Sequence, residues 1–172
     1  MAVEFNSLRT EYIYTEVSSF VDGICWVNKG ELYAFMDTSL GLITDFVYTD
    51  VRAFENSFAM VSRDSTYGFI DQNGTEICAL IYNQARNFRH GFAPIMTDSL
   101  WGLIDTYGKM AFQPIFDFPP YSVKADFIIC SKDGKWGVIN SDKRAIYPFE
   151  YDFITSDGMA FKNGRAYLLG AR

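Results

Sequence analysis

One pattern recurs along this chain at a nearly constant interval. Tyr33-Ala34-Phe35-Met36-Asp37 is followed by Tyr67-Gly68-Phe69-Ile70-Asp71, then Trp101-Gly102-Leu103-Ile104-Asp105, then Trp136-Gly137-Val138-Ile139-Asn140. The copies lie 34, 34 and 35 residues apart. Other columns keep the same register. Tyr14, Tyr48 and Tyr82 repeat at 34, with Phe116 and Tyr151 continuing the series, and Phe20, Phe54 and Phe88 do likewise. A fixed period of this size requires that each unit be one supersecondary motif stacked on its neighbours, because a single unit cannot bury its own apolar face.

Each unit reads as short antiparallel strands. In residues 48–81, a lead-in from Tyr48 to Phe54 precedes a β-type run Phe58-Ala59-Met60-Val61, a turn at Arg63–Thr66, a strand Tyr67–Asp71, a turn Gln72-Asn73-Gly74, and a last strand Thr75–Cys78. The second turn puts Asp first and Gly fourth in Asp71–Gly74 and in Asp105–Gly108. Asp accepts backbone N–H groups at the start of such a turn, and Gly takes the left-handed position. Lys143 must take that place in the fourth unit with some strain. The glycines after the aromatics (Gly68, Gly102, Gly137) imply a bulge or a close backbone approach. Pro114 and Pro148 sit at matching places expected after the last strand, where no ladder N–H is needed.

The expected fold is therefore all-β. A single repeat domain spans 1–172, with an N-terminal strand in 1–13, repeats at 14–47, 48–81, 82–115 and 116–150, and a partial repeat at 151–172. The units form an open superhelical array. The alternative is a small closed propeller in which the N-terminal strand completes the last unit.

Composition excludes several classes. Apolar residues make up 49% and aromatics 17%, which excludes a disordered chain. A net charge of −6 argues against nucleic-acid binding by phosphate neutralisation. No apolar run approaches the roughly 18 residues of a membrane span. The N-terminus lacks the basic start and apolar stretch of a signal peptide, so a cytoplasmic protein is expected. Cys25, Cys78 and Cys130 are scattered and read as reduced and mostly buried, and no cofactor or metal is implied. His90, the one histidine, sits in an Arg89-His90-Gly91 turn and reads as a turn residue. No nucleophile has an identifiable base partner, so the chain reads as non-enzymatic.

The pattern aromatic-Gly-x-Ile-Asp, with Phe-x-x-Gly-x-Ala ahead of it, resembles the bacterial WG-repeat (KWG-repeat) family. The residues that carry the resemblance are Lys135–Asn140, Trp101–Asp105 with Phe88–Ala93, and Tyr67–Asp71. Tyr33-Ala34 and Ala166-Tyr167 depart from it at the ends. The resemblance implies a binding scaffold and supplies no catalytic residues. Small proteins of this type also resemble immunity proteins of bacterial toxin systems.

Charge is unevenly spread. Residues 1–86 carry −7 and residues 87–172 carry +1. Glu16 and Asp50 lie 34 apart and so face the same way on adjacent units, while Glu11, Asp22, Glu31, Asp37 and Asp45 add charge to the same end. These seven acids form the expected partner-binding surface, complementary to a basic protein such as a nuclease-type toxin. A free monomer is expected. The other reading is a carbohydrate or cell-envelope binding module that uses Tyr33, Tyr67, Trp101 and Trp136 as stacking platforms.

Overall fold

A computed structural model describes residues 14–124 and 126–170. They form β-strands and turns, with no helix among them. Five antiparallel sheets follow one another along the chain. The first contains β1 (Glu16–Val17), β2 (Ile24–Lys29) and β3 (Leu32–Asp37). The second contains β4 (Asp50–Val51), β5 (Phe58–Arg63) and β6 (Thr66–Asp71). The third contains β7 (Gln84–Ala85), β8 (Phe92–Thr97), β9 (Leu100–Asp105) and β10 (Met110–Phe116). The fourth contains β11 (Tyr121–Lys124), β12 (Phe127–Lys132), β13 (Lys135–Ile139) and β14 (Ala145–Tyr151). The fifth contains β15 (Phe153–Ile154), β16 (Met159–Lys162) and β17 (Arg165–Leu168). Each sheet is a meander in sequence order.

The register repeats with the sequence. Phe35 pairs with Trp26, Phe69 with Met60, and Leu103 with Pro94. The core lies between sheets. Ile24 and Phe35 of the first sheet pack with Val51, Phe54 and Val61 of the second, and Phe69 packs with Ala85, Phe88 and Ile95. Trp101 and Leu103 pack with Ile128 and Cys130, and Val138 packs with Ile154 and Ala160. Phe35 meets Phe54 edge-on at 5.2 Å, and Phe69 meets Phe88 edge-on at 5.0 Å. Among the described residues these clusters join only consecutive sheets, which is the nearest-neighbour packing of an open array. The strand that a closed ring would draw from residues 1–13 lies outside the described residues.

Two-residue hairpins explain the turns. At Asp22-Gly23, Asn56-Ser57, Asp64-Ser65, His90-Gly91, Asp98-Ser99, Asp133-Gly134 and Asn163-Gly164 both central residues have positive φ, which matches the right-handed twist of the flanking strands. The later turn works as expected from the sequence. Asp71 Oδ1 accepts from the amides of Asn73 and Thr75 at 2.9 Å each, and Gly74 has φ 79°. Asp105 and Asp37 do the same, and Asn140 accepts from the Arg144 amide. Lys143 takes the left-handed place at φ 67°, and so does Leu40 in the first unit at φ 66°.

Two expectations are corrected. The last strand of the second unit, expected at Thr75–Cys78, is reduced to a single bridge from Ile70 to Glu76 and a bond from the Ile77 amide to the Phe69 carbonyl. The first unit is reduced in the same way, to a Met36–Leu42 bridge. In the second unit the fourth segment passes over the glycine of the central strand, where a Cβ on Gly68 would lie 2.9 Å from Leu80. Pro114 and Pro148 lie inside β10 and β14 rather than after them. They sit where the register of both strands slips, so the missing N–H costs no ladder bond.

Candidate functional site

The hairpins that join the two central strands of a unit all point to one rim of their sheet. Glu31, Asp64, Asp98 and Asp133 stand in those hairpins, one in each of the first four sheets, and all four are exposed. Glu16 pairs with Asn28 and Asp50 with Ser62, so both lead-in carboxylates lie toward the same rim. The structure thus brings Glu16, Glu31 and Asp50 to one side. Asp22 and Asp37 lie at the opposite end of the first sheet, where Ile24 pairs with Asp37. Asp45 is exposed on the segment between β3 and β4, and Glu11 lies outside the described residues.

Asp37 is a turn anchor. Its carboxylate is held below the usual range first by the Ser39 hydroxyl, at 2.6 Å, and then by the Gly41 amide. The hairpin acids Asp64, Asp98 and Asp133 were not singled out by sequence reading. Their signal was present, since with Glu31 they are spaced 33, 34 and 35 apart, but each stood inside a segment already read as a turn.

The repeat aromatics are structural. Trp101 is 5% exposed and sits in the cluster between the third and fourth sheets, while Tyr33, Tyr67 and Trp136 are half-buried against the neighbouring clusters. His90 occupies its turn at φ 48°, as expected. Cys25 and Cys130 are buried and Cys78 half-buried, all three as free thiols. Among the described residues no group of three or more His, Cys, Asp or Glu side chains is arranged to hold a metal ion.

A second surface carries the opposite charge. The lead-in strands are the edge strands of their sheets, and a trough of about 490 Å³ runs beside them with Arg52, Arg86 and Arg89 in its lining.

The model of the WG containing repeat matches the chain five times, at residues 6–33, 33–66, 67–101, 101–136 and 136–167. The chain belongs to the WG-repeat family. In this WG-repeat chain the departures at the first unit leave the local geometry unchanged. Ala34 pairs with Val27 as Gly68 pairs with Val61, and Tyr33 bridges to Tyr48 as Tyr67 does to Tyr82. No curated protein matches the chain in sequence. Among solved structures it is similar to Hsv2 of Kluyveromyces marxianus, at 10% identity and a TM-score of 0.44 over 73% of this chain and 47% of that one. It is also similar to Hsv2 of Kluyveromyces lactis, at 12% identity and a TM-score of 0.46 over 78% of this chain and 51% of that one. The chain spans about half the length of these proteins.

Proposed function

We propose that this WG-repeat domain is a non-enzymatic scaffold that binds another protein, and that the partner presents a basic surface to the hairpin rim. The observation that carries this reading is the row Glu31, Asp64, Asp98 and Asp133, flanked by Glu16 and Asp50. Asp64, Asp98 and Asp133 hold the first turn position on successive sheets and Glu31 the second on the first sheet, which gives an acidic edge that follows the repeat. Such an edge steers a basic partner and fixes its register on docking. Lys29, Arg63, Lys132 and Lys135 lie among these acids, with Arg63 engaged by Glu76 at 2.7 Å and Lys135 by Asp152 at 2.6 Å.

In its most concrete form the proposal is an immunity protein that neutralises a basic, nuclease-type bacterial toxin by covering it. Occlusion needs no chemistry of its own, which suits a chain whose turn carboxylates are spent on backbone amides. The burial of Trp101 and the packing of Tyr33, Tyr67 and Trp136 against the neighbouring clusters favour the protein-binding reading over one that uses these four rings as carbohydrate platforms. The test is co-expression with the protein encoded in the gene next door. Restored growth against a toxic neighbour, together with a stable one-to-one complex on size exclusion, is the expected result. A toxic neighbour that kills equally with and without this chain contradicts the immunity reading.

A further inference from the structure

Arg52 and Arg86 are 34 residues apart, at the same place just after the lead-in strands β4 and β7. Both line the trough of about 490 Å³, and Arg89 joins them from the following turn. An adjoining trough of about 480 Å³ shares Arg52, Met60, Ala85 and Arg86, so the two form one concave surface across the edge strands. Three arginines therefore line a single concavity of a chain whose net charge is −6. Glu55, whose carboxylate accepts a hydrogen bond from Asn87, is the one acid in the lining of the first trough, and Asp50 is the one acid in the lining of the second.

Two of these arginines are pre-set. The Arg86 guanidinium lies 5.2 Å from the Trp101 ring centre and donates to the Ala85 carbonyl at 3.0 Å. The Arg89 guanidinium lies 5.5 Å from the centre of the Tyr121 ring. A guanidinium laid on a ring face keeps its in-plane N–H fork for an oxyanion pair and loses less freedom on binding. Arg52 is exposed, and its guanidinium has no ion pair or hydrogen-bond partner among the described residues. Beneath the three cations the lining is apolar, with Met60, Phe92, Pro94, Leu103 and Pro120. A few convergent polar groups over an apolar floor, at this volume, are the ordinary composition of a small-molecule site.

We propose that this trough binds a small organic polyanion, one that carries paired carboxylate or phosphate groups on a flat apolar body. The anionic groups sit on the forks of Arg86 and Arg89 with Arg52 closing the open side, and the body rests on the Phe92, Pro94 and Leu103 floor. The first trough contains none of the rim acids, so the site stands whether or not a basic protein docks on the rim beside it.

Isothermal titration of the full chain with benzene-1,3,5-tricarboxylate, ADP, citrate and pyrophosphate tests this directly. One of the two flat-bodied anions is expected to bind saturably at one site, and which of the two does so distinguishes carboxylate from phosphate chemistry. Citrate and pyrophosphate lack the body and are expected to bind at least about tenfold more weakly. Arg86→Lys keeps the charge but loses the fork, and is expected to weaken binding about tenfold. Arg52→Ala removes a cation that supports no packing, so it keeps the test valid if the Arg86 variant misfolds, and it too should weaken binding. Arg165→Ala, on the fifth sheet, should leave binding unchanged. Absence of saturable binding by the wild-type chain overturns the proposal. So does binding that survives Arg52→Ala and Arg86→Lys, or that is equally tight for the body-less anions.

Discussion

His90 Nδ1 lies 3.1 Å from the carbonyl oxygen of Ser122, on the next repeat. The carbonyl can only accept, so Nδ1 carries the proton. The equivalent residue one unit earlier, Asn56, donates from Nδ2 to the carbonyl of Phe88 at 2.7 Å. Both side chains reach 32 residues forward, from a left-handed turn to the backbone of the neighbouring sheet. The turn residue is thus also an inter-repeat tie. Asp22 holds the same place in the first unit, but a carboxylate has no proton to donate to a carbonyl.

Substitutions at these three places follow from that. His90→Asn keeps an αL-tolerant residue and a donor, and should leave stability nearly unchanged. His90→Asp keeps the turn but loses the donor, and should cost about 1 kcal/mol. Asp22→Asn supplies the missing donor and should gain about 0.5–1 kcal/mol. Urea denaturation midpoints at constant slope measure all three.

The glycine of the central strand is set by a backbone, not by a flexible neighbour, in the third unit. A Cβ on Gly102 would lie 2.6 Å from the Phe112 carbonyl oxygen and 3.0 Å from the Pro114 nitrogen. Gly102→Ala should destabilise by about 1–3 kcal/mol. At Gly137 the nearest atoms are the Tyr147 carbonyl oxygen at 3.0 Å and the Phe149 ring at 3.1 Å, and the cost should be smaller. Thermal unfolding of the two variants side by side gives the ranking.

Ser65 and Ser99 hold φ 66° and 71° in exposed hairpins where other units use Gly134 or Gly164. A non-glycine residue in that region carries a strain of roughly 1–2 kcal/mol, partly offset by the greater chain entropy of glycine when unfolded. Ser65→Gly and Ser99→Gly should each raise stability by about 0.5–1 kcal/mol. Their effects should add, since the two hairpins share no partner.

Much of this fold was legible in the sequence because turn chemistry and period speak for themselves. Asp71 and Gly74 announce their turn by spacing, and Gly68 announces a close approach. The crossing of the fourth segment was not legible, because Ile77 and Leu80 are as apolar as strand residues and nothing local shows that the ladder is interrupted. The rim acids illustrate the other limit. Asp64, Asp98 and Asp133 share the period, but only the hairpin geometry shows that they point to one edge with Glu16 and Asp50. Arg52 and Arg86 were equally periodic, yet Arg89 comes to them only through the packing of Tyr121 from the next repeat.

Titration should limit stability at high pH. Burial pushes the Cys130 thiol up to about 12, and burial followed by the Glu76 carboxylate pushes the Tyr48 phenol up to about 12. Both are neutral acids whose folded values exceed their ordinary values of 9.0 and 10.0. Their contribution is complete below those ordinary values and is lost as pH rises from them toward the folded values. Stability should therefore fall progressively above pH 9, and Cys130→Ala should make that decline shallower. Denaturation midpoints from neutral to strongly alkaline pH, with wild type and variant compared, check the direction.

The central claim, that the hairpin rim docks a basic protein, is tested most directly by charge reversal. Glu16→Lys with Asp50→Lys changes two carboxylates on adjacent equivalent strands. The comparison pair is Asp126→Lys with Asp142→Lys, two exposed acids on the opposite rim of the fourth sheet, where Asp126 accepts from the exposed Ser141 hydroxyl rather than from a backbone amide or a lysine. Asp117 and Asp152 are unsuitable for this, because Asp117 accepts from the Gly134 amide and Asp152 is held by Lys135 and the Asn163 amide. Association with the neighbour-encoded basic protein is followed by stopped flow at several salt concentrations. The rim pair should slow association by about tenfold or more at low salt and flatten its salt dependence, with the comparison pair close to wild type. Equal association rates and equal salt slopes for the two double variants would contradict the claim.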